Sequence, residues 1–284
     1  MPEQQPFDLA AYHQLLAEIR QKLSEMPLAE LEGLAIRLID FHKNRGIPND
    51  SRLRSFCELA LDRVVSELLG FVGCLRAGSF LGVSHHLRAI IENHVNVAYM
   101  VCPVERFPEA QREFNSPDDR IRRYFDFRGV SEYNHFAKIV RLADQGLSDA
   151  ECQRNYACTI ENARKAVKIV ATAEKDGWIA LYRPKQNKIS KIKFWHTPYS
   201  VADLMEWCLD PKITCPYEIY SFTSTLTHPN ILFKRLFGPP HWSAGLPDSA
   251  VATVVSHIDL ASVLARDTIS MAQEATSVDT GILA

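Results

Sequence analysis

The chain has 284 residues, which is enough to bury a sizeable core in one large helical domain or in two. Hydrophobic residues make up 46% of it and charged residues 23%, proportions that are ordinary for a globular protein. The formal net charge of −2 gives no overall attraction to nucleic acid or to an anionic membrane, so either partner would require a local basic patch.

Helical periodicity recurs along nearly the whole chain, and capping residues, prolines and glycines mark where the helices begin and end. Asp8, Pro27 and Asp248 stand at the starts of three predicted helices, whereas Gly46 and Pro103 end two of them. In chain order we predict helices over residues 9–26, 28–44, 49–69, 84–101, 118–145, 148–175, 201–210, 216–228 and 248–275.

The predicted fold class is all-α, because no segment alternates as a strand does and no internal repeat is visible. We expect a multi-helix bundle whose helices are largely antiparallel. Residues 1–48 are predicted to form an N-terminal helical hairpin packed on a main bundle of residues 49–275, and residues 276–284 a flexible tail. Residues 183–198 are rich in lysine and are predicted to be a break between helices.

The cysteines and the apolar stretches bear on the compartment. The seven cysteines are scattered, and no two follow the Cys-x-x-Cys spacing, which argues against a disulfide framework and is typical of a reducing compartment. The N-terminus has no basic region followed by an apolar run, so we expect no signal peptide. The most apolar stretch, residues 64–83, carries Glu67 and Arg76, which argues against a membrane span. We therefore predict a cytoplasmic protein without membrane contact.

One predicted helix carries charge at the edge of its apolar face. At about 100° per residue, Arg88 lies at the margin of the apolar arc, with Glu92 one turn further on and His85 one turn back. Tyr99 continues this line, and His94 falls inside the apolar arc. An arginine that faces a core must be paired, and Glu92 can supply the counter-charge. The Arg-then-Glu order is the less favourable one in an isolated helix, so we interpret the pair as serving more than local helix stability.

A second predicted helix carries a polar stripe. Tyr220, Ser224 and His228 recur every four residues and therefore share one face. A stripe of this kind beside an apolar face usually meets other polar groups inside a bundle. We therefore predict a cluster in which Arg88 and Glu92 meet this stripe.

The order of these residues resembles a bacterial all-helical domain family of unknown function. The matching elements span residues 55–237 and are, in order, Arg88-x-x-x-Glu92, Tyr99, Tyr124, an aromatic segment at 194–205 and Tyr220-x-x-x-Ser224-x-x-x-His228. The resemblance implies a bundle in which the Arg–Glu helix faces the Tyr-Ser-His helix, and it adds Tyr124 to the candidate residues. It implies no activity.

Three functions stay open for this cluster. In the first, it is a structural or ligand-responsive polar network in a non-enzymatic protein. In the second, Arg88 anchors an anionic small molecule, to which Tyr220 and His228 form hydrogen bonds. In the third, the spacing of Arg88 and His94 resembles the HEPN-type helical ribonucleases, which would imply a homodimer that binds or cleaves RNA in stress or phage defence. A serine hydrolase is not expected, because the chain has no nucleophile elbow.

Basic side chains and metal ligands complete the predicted site chemistry. The candidates for contact with RNA or an anionic ligand are Arg120, Arg123, Lys185, Lys188 and Lys191. We predict no metal, because Arg88 lies between His85 and Glu92, the potential ligands that share a face. The chain has no Walker loop, dinucleotide fingerprint or zinc-finger spacing, so we predict no cofactor.

Overall fold

The computed structural model describes residues 28–44, 51–77, 79–146, 157–170, 172–182, 192–209 and 248–276, together with positions 10, 13, 14, 17, 21 and 154. Every regular element within these ranges is a helix, so the protein has the predicted all-α, multi-helix fold. Positions 10, 13, 14, 17 and 21 are helical, in agreement with the helix predicted over residues 9–26. The helix predicted over residues 216–228 lies outside the described ranges.

The described ranges contain nine α-helices. They are α1 (Leu28–Asn44), α2 (Arg52–Arg76), α3 (Phe80–Val101), α4 (Glu109–Arg112), α5 (Pro117–Asp144), α6 (Ala157–Ile169), α7 (Thr172–Leu181), α8 (Val201–Cys208) and α9 (Asp248–Thr276). A 3₁₀-helix, Val104–Arg106, precedes α4.

The chain divides into two compact units, of which the first comprises Met1–Val101 and Cys208–Ala284. Its described part is built from α1, α2, α3 and α9. Only residues 77–79 separate α2 from α3, and the two helices pack along each other, so they run antiparallel. Helix α9 packs on both, and α1 packs on α2. The core between them contains large side chains that solvent does not reach, including Leu34, Leu38, Phe56, Phe71, Leu87, Ile91, Leu264 and Ile269.

The second unit is Cys102–Trp207. Its longest helix, α5, packs against α6 and α7. Val130 of α5, Tyr182 after α7 and Ile192 form a buried cluster, and Trp178 of α7 packs against it half-buried. This cluster joins the end of α7 to the segment that leads into α8.

Serine caps begin three helices at or next to the predicted positions. The hydroxyl oxygen of Ser51 accepts the backbone N–H of Arg54 at the start of α2. At the start of α8, Ser200 Oγ accepts the backbone N–H of Asp203 at 3.1 Å, and Asp203 Oδ2 accepts that of Ser200 at 2.7 Å. This reciprocal capping box satisfies two N–H groups that have no partner inside the helix. Ser116 caps α5 in a similar way.

Several predicted helix limits are wrong. Helix α2 continues past its predicted end at residue 69 and ends at Arg76. The single helix predicted over residues 148–175 is divided, since α6 ends at Ile169 and α7 begins at Thr172 and continues past Gly177 to Leu181. A glycine inside a helix costs only about 1 kcal/mol relative to alanine, and packing of Trp178 on the core offsets this. Helix α3 begins at Phe80 rather than at residue 84, because the glycines nearby do not end the periodicity.

Three further sequence predictions concern the whole chain. No helix within the described ranges is long and apolar enough to cross a membrane. The described cysteines are free thiols: Cys57, Cys74, Cys102, Cys158 and Cys208. The predicted domain limits at residues 48 and 275 stay predictions.

Candidate functional site

Helix α3 has a narrow polar line along an otherwise buried surface. His85 is exposed, and Arg88, Glu92 and Asn96 are half-buried, at spacings of three or four residues. With the neighbouring His86, these are the positions between residues 83 and 100 that reach solvent. The predicted apolar arc is confirmed by the buried side chains of Leu87, Ile90, Ile91, Val95 and Ala98. We call His85, Arg88, Glu92 and Asn96 the polar line.

The predicted ion pair lies on this line. Arg88 Nε donates to Glu92 Oε1 at 3.0 Å. The two side chains are 28% and 35% exposed, so the pair stands at the margin of the core rather than inside it. A partly solvated pair of this kind contributes about 0.5 kcal/mol or less to helix stability.

The same contact recurs elsewhere in the chain. Nε of the arginine reaches Oε1 of the glutamate at 3.2 Å in Arg54–Glu58, 3.5 Å in Arg63–Glu67 and 3.0 Å in Arg128–Glu132. The Arg-then-Glu order is therefore common here, and it does not by itself mark a site. What distinguishes Arg88–Glu92 is its position on a helix whose other faces are buried.

His94 points away from Arg88, into the contact between α3 and α9. Its ring is fully buried, and Nδ1 lies 3.1 Å from Thr268 Oγ1. Because the Thr268 hydroxyl donates to the carbonyl of Leu264 at 2.7 Å, the network assigns the ring proton to Nδ1. Within the described ranges the Nε2 atom has no hydrogen-bond partner, and Asp267 Oδ2 lies 3.6 Å from it. Burial lowers the pKa of His94 from 6.5 to about 4, so the ring is neutral at pH 7.

This burial bears on the resemblance to helical ribonucleases. A histidine that takes part in RNA cleavage must reach the substrate, yet His94 is fully buried while Arg88 is partly exposed. The two side chains therefore do not line one cleft in the described part of the first unit. Tyr99, which was predicted to continue the polar line, is fully buried as well.

Two more polar side chains of α3 bind α2, and sequence reasoning missed both contacts. Asn93 is buried and its Nδ2 donates to the backbone oxygen of Ala60 at 3.0 Å. His86 Nδ1 lies 2.8 Å from Glu67 Oε2. Asn93 falls among apolar residues on the helical wheel, and a polar group at such a position requires a partner on a neighbouring helix. That signal was available in the sequence, but the identity of the partner was not.

The remaining described candidates lie in the second unit. The ring of Tyr124 makes edge-to-face contacts with those of Phe125 and Trp195, at 5.3 Å in both cases. Arg120 and Arg123, which were predicted to contact RNA or an anion, are both buried. The guanidinium of Arg120 lies over the ring of Phe107 at 5.4 Å. Burial removes both arginines from any exposed basic surface of the unit.

Arg123 belongs to a buried hydrogen-bond network that the sequence did not predict. Its guanidinium donates to the backbone oxygen of Phe114 at 2.8 Å and to Asn115 Oδ1 at 3.0 Å. Asn115 Nδ2 donates to the hydroxyl of Tyr199 at 2.8 Å, and that hydroxyl donates to Gln111 Oε1 at 2.9 Å. The network links α4 and the turn after it to α5 and to the residue before the α8 cap.

The second half of the predicted cluster lies outside the described residues. This applies to Tyr220, Ser224 and His228, and among the predicted basic contacts to Lys185, Lys188 and Lys191. Within the described ranges, no three His, Cys, Asp or Glu side chains come together as metal ligands would. The candidate site that remains is the polar line of α3.

Comparison with known proteins gives no relative from which a role for this site could be inferred. No protein-family model matches the chain, and neither a curated protein nor a solved structure does. The resemblance to a bacterial helical family stays a prediction.

Proposed function

We propose that the first unit is a non-enzymatic, ligand-responsive module in which Arg88 receives an anionic small molecule. The observation that carries this proposal is the half-buried Arg88–Glu92 pair on a helix whose other faces are enclosed. A guanidinium in this position is accessible to a carboxylate or phosphate group, the partners that its donors fit best.

The surroundings of α3 support a response to binding. Asn93 ties the helix to α2 and His94 ties it to α9, both through buried hydrogen bonds. An anion that competes with Glu92 for Arg88 acts on a helix that contacts two neighbours at once. A ligand that binds this arrangement more tightly than the unfolded chain stabilises the unit by mass action.

Two of the three imidazoles of α3 are engaged between helices, and the third, His85, is exposed on the polar line. A general acid or base must come within hydrogen-bond distance of a bound substrate. His94 is fully buried, and His86 is engaged with Glu67 at 2.8 Å. These two imidazoles thus serve contacts between helices.

Thermal unfolding with phosphate, citrate and AMP tests the proposal. An anion at about ten times its dissociation constant contributes about 1.4 kcal/mol, which raises the Tm by about 3 °C for a protein of this size. We expect at least one of these anions to give that shift with the parent protein. Arg88→Gln should abolish it, because glutamine keeps the length of the side chain but not its charge.

Arg54→Gln is the matched control. Arg54 forms the same i,i+4 contact with Glu58, in the same unit, and its side chain is also 28% exposed. It should keep the shift within about 1 °C, since it lies off the polar line. Equal losses in the two variants, or a parent protein whose Tm no anion changes, would contradict the proposal.

A further inference from the structure

A groove in the second unit lies between one face of α5 and one face of α7. Its volume is about 560 Å³, within the range of sites that hold small molecules. The lining side chains follow helical spacing on both walls, with Phe125, Asp126 and Gly129 on α5 and Glu174 and Trp178 on α7. All of these residues belong to the described part of the unit.

Two glycines inside helices shape this groove. A Cβ atom on Gly129 would stand 2.9 Å from Cζ2 of Trp178, so the absence of a side chain there lets the indole pack against α5. A Cβ atom on Gly177 would meet no atom of the described residues within 4 Å. A glycine inside a helix costs about 1 kcal/mol relative to alanine. Packing explains the first glycine, and the second leaves open space on the α7 wall.

The charges of the lining are unequal. Three carboxylates, on Asp126, Glu132 and Glu174, face two guanidiniums, on Arg122 and Arg128. Arg128 is engaged with Glu132, Nε to Oε1 at 3.0 Å. Asp126 and Glu174 form no ion pair with any residue in the described ranges. Once Arg128 and Glu132 are paired, two carboxylates, Asp126 and Glu174, face one guanidinium, that of Arg122.

We propose that this groove binds a small primary amine with an apolar body. Asp126 and Glu174 supply the negative charge for an ammonium group, and the apolar walls of Phe125, Trp178 and Leu181 receive the body. An indole is also the aromatic group that attracts a cation most strongly. The excess of carboxylates opposes an anion or a nucleic-acid backbone. This site is separate from the polar line and does not depend on the function proposed for the first unit.

Isothermal titration of the full chain with three compounds of one shape tests the charge requirement. The probes are phenethylamine, its neutral isostere 2-phenylethanol and the anion phenylacetate. We expect phenethylamine to bind with a dissociation constant of about 1 mM or lower, and the other two at least about tenfold more weakly. No binding of the amine at about 10 mM, or equal binding of phenylacetate, would overturn the proposal.

Substitutions on the α7 wall test whether the amine binds in this groove. Gly177→Leu places a side chain where a Cβ atom meets no described atom within 4 Å, and it should weaken amine binding at least about tenfold. Gly73→Leu is its matched control, since a Cβ on that exposed glycine of α2 also meets nothing within 4 Å. Glu174→Gln should weaken binding about threefold or more, whereas Glu161→Gln, an exposed carboxylate of α6 paired with Lys165, should leave it unchanged. Binding that survives Gly177→Leu would place the amine elsewhere and refute the assignment.

Discussion

The two units bury polar side chains in different ways. In the first, single hydrogen bonds join neighbouring helices, as in Asn93 to Ala60 and His94 to Thr268. In the second, the buried guanidinium of Arg123 is held by a continuous network that passes through Asn115. Within the described ranges, Nε2 of His94 has no hydrogen-bond partner. In a connected network, a residue at the centre holds more hydrogen bonds than one at the edge. Removing the central residue should therefore destabilise the fold more than removing one at the edge.

Removing the charge of Arg123, at the centre of the network, should lower the free energy of unfolding more than the other substitutions. Arg123→Met keeps much of the side-chain volume but deprives the Phe114 carbonyl and Asn115 Oδ1 of their donors. The Asn115 bond is buried and the Phe114 bond partly buried. A buried acceptor left without a partner costs about 1–3 kcal/mol, so we expect a loss of about 3 kcal/mol in the free energy of unfolding. Chemical denaturation measures it.

The neighbouring arginine provides the control for this experiment. Arg122→Met changes an exposed side chain on the same helix and should alter stability by about 0.5 kcal/mol or less. If the two variants are equally stable, the network around Arg123 does not stabilise the second unit and the contrast between the units fails.

Acidification should lower the free energy of unfolding of the first unit through the buried His94. The pKa of His94 is lowered to about 4 by burial, below its ordinary 6.5, so the unfolded chain takes up a proton first as the pH falls. Stability is therefore complete above pH 6.5 and is lost progressively toward pH 4. Between pH 7 and pH 5 this one histidine should account for about 2 kcal/mol. The pKa of His257, also lowered to about 4 by burial, adds a similar loss.

His94→Leu separates the two contributions. Leucine fills the buried space without titrating, so the variant should lose about half as much stability as the parent between pH 7 and pH 5. His257→Leu, which removes the other buried imidazole, should reduce the loss by a similar amount. A His94→Leu variant with the full pH dependence of the parent would show that Asp267, 3.6 Å from Nε2, keeps His94 charged in the fold.

The sequence predicted the helices well, because their signals are local. The apolar arc of α3 and the serine caps of α2 and α8 follow from the periodicity and from capping residues next to each helix. The predicted helix limits were wrong where packing between helices outweighed a local sequence signal. The helix predicted over residues 148–175 stops short of Gly177, but the packing of Trp178 against Gly129 carries α7 beyond this glycine.

The candidate site was predicted only in part, because its chemistry depends on partners distant in sequence. The Arg88–Glu92 pair was found, since its members are four residues apart. The bond of His94 to Thr268 spans 174 residues, and periodicity predicted its burial but not its partner. The burial of Arg123 was missed because arginines in a polar helix are usually exposed, and the acceptors that bury this one come from the preceding turn.

Removing a hydroxyl at the edge of the network should lower the free energy of unfolding least. Tyr199→Phe removes the group that accepts from Asn115 and donates to Gln111, but Asn115 Nδ2 keeps its bond to the Gln111 carbonyl at 2.8 Å. Gln111 is half-buried, so water can replace its lost donor. We therefore expect a loss of about 1 kcal/mol, well below that of Arg123→Met. Tyr133→Phe is the control, because the hydroxyl of Tyr133 makes no hydrogen bond with any residue in the described ranges. A Tyr199 variant as damaging as the arginine variant would mean that the network fails as one unit, whereas a graded loss means that its bonds stabilise the fold separately.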